Sequence, residues 1–578
     1  MIEWFLAWLS RRDWDEGATL MVFGALIGVV GGLSVVALYR LIDLSHYALI
    51  QLPGQRLPLL GRAIYQPLLT ALGLWGAWAV IRRTRTPDGQ NVPDVQLAVA
   101  RRDGEIRVRP VIARTVASAL TLGSGASAGS EGPVAVLGAA LGSLTGRRLR
   151  FQPRHLKILV GCGAAAGIAG AFNAPFAGAF FALEEVLGSF SFGAFSPVVI
   201  ASVVGALTVR PFLGAQPIFQ SSQVPASTRP MEVLLFPVLG VACGIVSALY
   251  ARVYLAAAAW GKRVQGPRWI WPVLAGAATG LIVLASRGLL AGNGHLAIPL
   301  QAFSRLTWYA LIAIAAAKIL ATAITLGFGG SGGVFTPTLF VGAALGAGLG
   351  TLGRTVFGSD LVYPHAWAFI GMAGLVAGAT RAPLTAIFMV FEMTDDYTYV
   401  VPLMIVAVIA YATARRYSPH GLYDGWLAAR GEHIAHGVDA SVMDSTHVAD
   451  ALDRDVTAVP ADASIHELTD AAATTRHAVL PVVGPDGALV GVITHHALRA
   501  AIVGRAELGA LVVAADLAEP TDALLPSDSL RRALAIMNAR GLDAVPVVDS
   551  ANGEAHLIGL LSRHDVLVVY ERTVSRAV

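Results

Sequence analysis

Residues 121 to 142 read TLGSGASAGSEGPVAVLGAALG, and residues 325 to 346 read TLGFGGSGGVFTPTLFVGAALG. Laid together without gaps they are identical at twelve of 22 positions. A second gapless pair follows in each half, AGAFNAPFAGAFFALEE at 169 to 185 against AGATRAPLTAIFMVFEM at 377 to 393. A repeat of this kind makes the region two related halves. Apolar segments interrupted by Gly and Pro at corresponding positions of two halves point to a transport site built from broken helices. Each glycine run precedes a helix-like stretch, so each brings a helix N-terminus, with its free N–H groups and positive dipole end, into the apolar region. Two such ends favour an anion. Small residues also serve close helix packing, but the duplication, with Pro133 and Pro337 in register, favours a site.

The rest of the chain fits that reading. Of 578 residues 55% are hydrophobic and 14% charged, and the mean hydropathy is +0.63, the composition of a polytopic membrane protein. Apolar runs long enough to enter or cross a bilayer recur between residues 18 and 414, and beyond about 437 the sequence turns polar. The expected division is a membrane domain over 1–437, with repeats over roughly 18–215 and 230–430, and a soluble tail over 438–578. MIEWFLAWLSRR at the start carries its basic pair after a short apolar patch, which predicts an interfacial helix and no signal peptide. Cys162 and Cys243 lie in apolar helical stretches and read as packing residues. Arginines gather at segment ends, and the pair at 415 predicts a cytoplasmic C-terminus. A net charge of +4 implies no nucleic-acid partner.

The repeat also sorts the acidic residues. Glu184 aligns with Glu392, which predicts a shared architectural role such as capping. Glu131 aligns with Phe335, and Glu185 with Met393. A carboxylate at membrane depth is costly, so the two that break the symmetry are the functional candidates.

These residues resemble the CLC family of chloride channels and proton-coupled chloride exchangers, in its bacterial type with C-terminal tandem CBS domains. GSEGP (129–133), GVFTP (333–337) and GLYDG (421–425) are similar to that family's motifs, and the similarity covers about residues 18–430. The resemblance implies an all-α polytopic membrane domain of two inverted-topology repeats with broken helices, assembled as a homodimer with one anion pathway per subunit. It implies no enzymatic activity, no catalytic residues and no required cofactor. Ser130, Gly132, Val334 and Phe335, through backbone amides, and the Tyr423 hydroxyl would hold chloride or a related anion. Glu131 would be a gate that protons open, and Glu185 a relay for those protons, which favours an exchanger over the alternative within the family, an uncoupled anion channel. The family's GSGIP is GQNVP here, putting Gln90 where the anion-binding serine usually stands. A bacterial inner-membrane location with cytoplasmic N- and C-termini follows from the same resemblance.

The tail repeats as well: HAVLPVVGPDGALVGVITHHAL (477–498) is similar to LDAVPVVDSANGEAHLIGLLSRHDVL (542–567), each reading as strand, turn, strand and helix start. This looks like a cytoplasmic α/β pair of CBS domains, 438–508 and 509–573. Such pairs often bind adenine nucleotides, and the resemblance assigns Ser562, Asp565 and Thr494 to that task; Ala497 replaces the first module's aspartate, so at most one good ribose site is expected, and a dimerisation platform without ligand is the alternative. Adjacent His495 and His496 point apart on a helix and predict no metal site. A CBS-bearing cation transporter is the rival of another class; it calls for clustered hard oxygen ligands and helix ends of the opposite polarity.

Overall fold

In a computed structural model, the chain divides into two compact units, Met1–Ile434 and Ala435–Val578. The structure describes residues 16–52, 59–85, 91–216, 219, 230–292, 303, 305–358, 362–432, 443, 446–504, 512–549 and 555–577.

The first unit is mostly helical, as expected. Its helices are α1 (Glu16–His46), α2 (Leu59–Arg83), α3 (Val92–Arg101), α4 (Val108–Gly123), α5 (Glu131–Arg148), α6 (Pro153–Phe172), α7 (Pro175–Phe181) and α8 (Phe192–Leu213). Then come α9 (Phe236–Arg263), α10 (Ile270–Ala285), α11 (Trp308–Gly327), α12 (Phe335–Phe357), α13 (Pro364–Thr380), α14 (Pro383–Thr394), α15 (Val400–Tyr417) and α16 (Leu422–Ala428). Among the described residues, seven helical stretches are long and apolar enough to cross a membrane. Helices α4 to α7 recur as α11 to α14 with the same punctuation. α6 ends on Asn173 and α13 on Arg381, both left-handed, and after one alanine a proline opens the next helix in each case.

The repeats are packed on the same plan. α5 crosses α6 at Gly138 and Gly163, where a Cβ on Gly138 would stand 2.0 Å from the Gly163 oxygen. α12 crosses α13 at the equivalent Gly342 and Gly371, with 2.4 Å for the same test. Small residues here allow backbone contact in a setting where lipid supplies no hydrophobic force between helices. The halves also exchange hydroxyl contacts. Ser127 meets Thr322 at 2.9 Å, and Ser331, the counterpart of Ser127, meets Ser118, the counterpart of Thr322, at 2.9 Å.

The tail holds two α/β modules. In the first, β1 (Val459–Pro460) pairs parallel with β2 (Val479–Val483), which pairs antiparallel with β3 (Leu489–Thr494), Val479 opposite Thr494. In the second, β4 (Ala544–Asp549) pairs antiparallel with β5 (His556–Ser562), Ala544 opposite Ser562. Each second strand of the hairpins runs into a helix, α17 (His495–Gly504) and α18 (Arg563–Ala577). Val479, Val492, Leu542, Ala544 and Leu560 form an apolar cluster shared by the two modules.

Candidate functional site

The two glycine runs meet. Gly129 and Gly333, equivalent residues of the halves, form an antiparallel bridge, the N–H of each donating to the oxygen of the other at 2.8 and 2.7 Å. From this bridge α5 begins at Glu131 and α12 at Phe335, so the N-termini of two helices lie on either side of it. Glu131 does not stay on its own helix. Its Oε1 accepts from the Thr336 backbone N–H at 2.9 Å, and its Oε2 from the Thr336 hydroxyl at 2.5 Å. The carboxylate therefore occupies the N-terminus of the other repeat's helix, where free N–H groups and the dipole favour negative charge. It is 2% exposed. A side chain on either strand of the bridge would push the carboxylate out of this position, because a Cβ would stand 1.9 Å from Glu131 Oε1 at Gly129 and 2.7 Å from it at Gly333.

Next to the bridge lies a small cavity bordered by Gly132, Gly333, Val334, Tyr423, Asn91 and Pro93 among others. The structure thus brings Gly132, Val334 and Tyr423 together. Tyr423 arrives on the first turn of α16. Ser130 is buried, its hydroxyl 3.4 Å from that of Tyr39. Phe335 packs its ring on Phe172 and Phe181, 6.0 and 6.3 Å between centroids. Gln90 lies outside the described residues; the adjoining Asn91, Val92 and Pro93 line the cavity.

A buried cation missed by the sequence reading accompanies the site. Lys318 on α11 is fully buried, donates to the carbonyls of Leu290 and Gly292 at 3.0 and 3.1 Å, and lies 5.2 Å from the Phe340 ring centroid. It attracts Glu131 electrostatically. Its counterpart in the first half is Arg114, so the repeat alignment held the signal: a basic residue at membrane depth in both halves.

Glu185 lies apart from Glu131, in a π-helical turn, Ala182–Val186, that extends α7. It is 5% exposed, and Gln96 on α3 donates to it twice, to the backbone oxygen at 2.8 Å and to Oε2 at 3.0 Å. Neighbouring Glu184 turns the other way and accepts from the N–H groups of Leu384 and Thr385, at the start of α14. Glu392 accepts from the N–H groups of Phe176 and Ala177, at the start of α7. Each of these two glutamates caps the other repeat's helix.

In the tail, the Ser562 hydroxyl and N–H both donate to Asp565 Oδ2, at 2.5 and 3.1 Å, closing a cap at the start of α18. Thr494 does the corresponding work in the first module, its hydroxyl accepting from the Ala497 N–H at 3.1 Å. Asp453 joins the modules: its backbone exchanges hydrogen bonds with Leu560, and its Oδ2 meets Arg476 at 2.5 Å and His477 at 2.8 Å. Burial opposes ionisation of Asp453, but hydrogen bonds from Arg476, the Asp455 N–H and His477 outweigh it and hold the carboxyl below its ordinary range. No cluster of three or more metal-ligating residues occurs among the described residues.

Comparison with known proteins places these features. A family model described as voltage gated chloride channel matches residues 72–415, and the CBS domain model matches residues 448–504 and 516–572. A putative chloride channel protein ClcB-like from Ralstonia nicotianae is 33% identical over 417 residues, 71% of this chain and 96% of that protein. An H(+)/Cl(-) exchange transporter ClcA from Yersinia pseudotuberculosis is 29% identical over 437 residues, 73% of this chain and 89% of that protein. Among solved structures, a slow cyanobacterial Cl-/H+ antiporter matches with a TM-score of 0.64 at 24% identity, covering 71% of this chain and 97% of that one.

Proposed function

Because the chain belongs to the voltage-gated chloride channel family and carries two CBS domains, we propose that it exchanges chloride or a similar monovalent anion for protons across a membrane. The observation that carries this reading is the Glu131 carboxylate at the N-terminus of α12. An ionised carboxylate there is an internal substitute for a transported anion. Its charge-assisted bonds to Thr336 weaken when the group takes up a proton, because the neutral acid is the poorer acceptor. The side chain is then free to leave, and an anion coming from the cavity at Gly132, Val334 and Tyr423 takes over the N–H groups. The attraction of Lys318 favours either occupant. Proton uptake by Glu131 and anion entry become linked, each promoting the other.

Glu185 supports exchange over passive conduction. It is a second buried carboxylate, set apart from the gate, and its role is to pass protons to Glu131 from the cytoplasm. By family likeness we assign a homodimer, a bacterial inner membrane with both termini cytoplasmic, and a CBS pair that regulates transport, with adenine nucleotide at Ser562, Asp565 and Thr494.

The test is reconstitution in liposomes under an imposed chloride gradient. The wild-type protein drives protons uphill, and Glu131→Gln abolishes both proton movement and the pH dependence of anion flux. Anion movement with no proton flux in the wild type would refute the exchange reading, and an unchanged pH profile in Glu131→Gln would remove the gate assignment.

A further inference from the structure

Resting on the exchange reading, we propose that Gln96 is the positioning residue for Glu185, and that its carbonyl oxygen anchors the water from which Glu185 takes its proton. Gln96 is 3% exposed and gives both N–H bonds of its amide to one residue, the Glu185 backbone oxygen and the Glu185 carboxylate. The π-helical turn makes this possible. Where α7 widens at Ala182–Val186 and then ends, the Glu185 carbonyl is available to a side chain from another helix. α3, which carries Gln96, is itself tied down by the ion pairs Asp94–Arg430 at 2.9 Å and Arg101–Glu432 at 2.5 Å.

This geometry sets which way the amide faces. Turned over, Gln96 would present its oxygen to the Glu185 carbonyl, acceptor against acceptor, so Nε2 faces Glu185 whether or not the carboxyl carries a proton. Oε1 takes no part in that contact, and it is buried with no hydrogen-bond partner among the described residues. A bare buried acceptor is costly, because it has given up water and gained no donor in return. A water that bridges buried polar groups removes that cost. Such a water, held by Gln96 Oε1 beside Glu185, receives a proton from the aqueous side and passes one on. One O–H bond breaks at the water as one forms at Glu185, on the carboxylate oxygen that Gln96 does not hold, and the water is left neutral. Among the described residues, the charged and titratable groups that act on Glu185 are Asp424 and Tyr423 on α16 and Glu184 on its own turn. Gln96 is the neutral group among them, so it orients the carboxylate without competing for its proton.

Proton and anion fluxes of the full-length protein in liposomes test this together. Gln96→Met keeps the length of the side chain and removes donor and acceptor. The protons moved per anion are expected to fall about tenfold or more while anion flux stays within about twofold of wild type. The residual proton flux should rise more steeply on acidification than in the wild type, because proton supply has become limiting. Gln96→Asn, one methylene shorter, reaches one acceptor and should fall between the two. An unchanged proton-to-anion ratio in Gln96→Met overturns the proposal. Loss of both fluxes in both variants overturns it too, since a residue that positions Glu185 has no hold on the anion path. A wild type that moves no protons sinks the exchange reading and this one with it; a coupled wild type with an unaffected Gln96→Met sinks this one alone.

Discussion

The two halves of the membrane unit place glutamates in two different ways. Glu184 and Glu392 are equivalent in sequence and in contact: each reaches across to the N–H groups that open the other half's helix, Leu384 and Thr385 in one direction, Phe176 and Ala177 in the other. Glu131 and Glu185 have no such counterparts. Where the first half has Glu131 on the N-terminus of α12, the second has Phe335 packed on Phe172 and Phe181. Where the first has Glu185 in a π-helical turn, the second has Met393 in regular α14. The shared carboxylates join the scaffold, and the unshared ones are those to which we assign protons.

That contrast is open to attack at each pair. The largest effect is expected from Glu185→Ala, which should abolish proton movement while anion flux persists, read as simultaneous chloride and proton fluxes in liposomes. If proton flux survives, Glu185 belongs with the architectural pair. Glu184→Gln and Glu392→Gln should do the reverse. Each weakens a helix cap by about 1 kcal/mol and lowers the thermal midpoint of the purified protein by about 1–2 °C, with the proton-to-anion ratio unchanged. A changed ratio in either would dissolve the distinction.

The smallest effect lies outside the membrane, at Asp453. Its folded carboxyl is held below its ordinary value, so its contribution to stability is complete above the unfolded value of about 3.9 and is lost as pH falls through the folded one. Asp453→Asn should therefore flatten the acid limb of the tail's unfolding, followed as thermal melts across that range, and leave transport at neutral pH unchanged. An acid limb as steep as the wild type's would remove Asp453 from the account.

Much of this was legible before any coordinates. The duplication is written in identical residues, the helix starts in Gly and Pro, and the mismatch of Glu131 with Phe335 in a single aligned column. What the alignment could not supply is direction. It places Glu184 beside Glu392, but the fact that each serves the opposite half depends on contacts about 200 residues away in the chain. Thr336 escaped notice for the same reason, since its role comes from the carboxylate that crosses to it. Gln96 left no trace in sequence: a lone amide in a short helix, it matters because the π-helical turn frees a carbonyl 89 residues away. Lys318 could have been found, being an intramembrane charge with a basic partner at Arg114.

The crossed caps and the crossed hydroxyl pairs bear also on how such a chain is made. Every contact of the form "residue of one half to the counterpart of its neighbour in the other" is one that two identical half-length chains would make about a two-fold axis. The seam inside this chain is thus an isologous interface that has become covalently continuous. During synthesis the first half emerges with Glu184 lacking the amides it caps and α7 lacking its carboxylate. Both wait until the ribosome has passed Glu392, so the first half reaches its final packing only when its copy arrives.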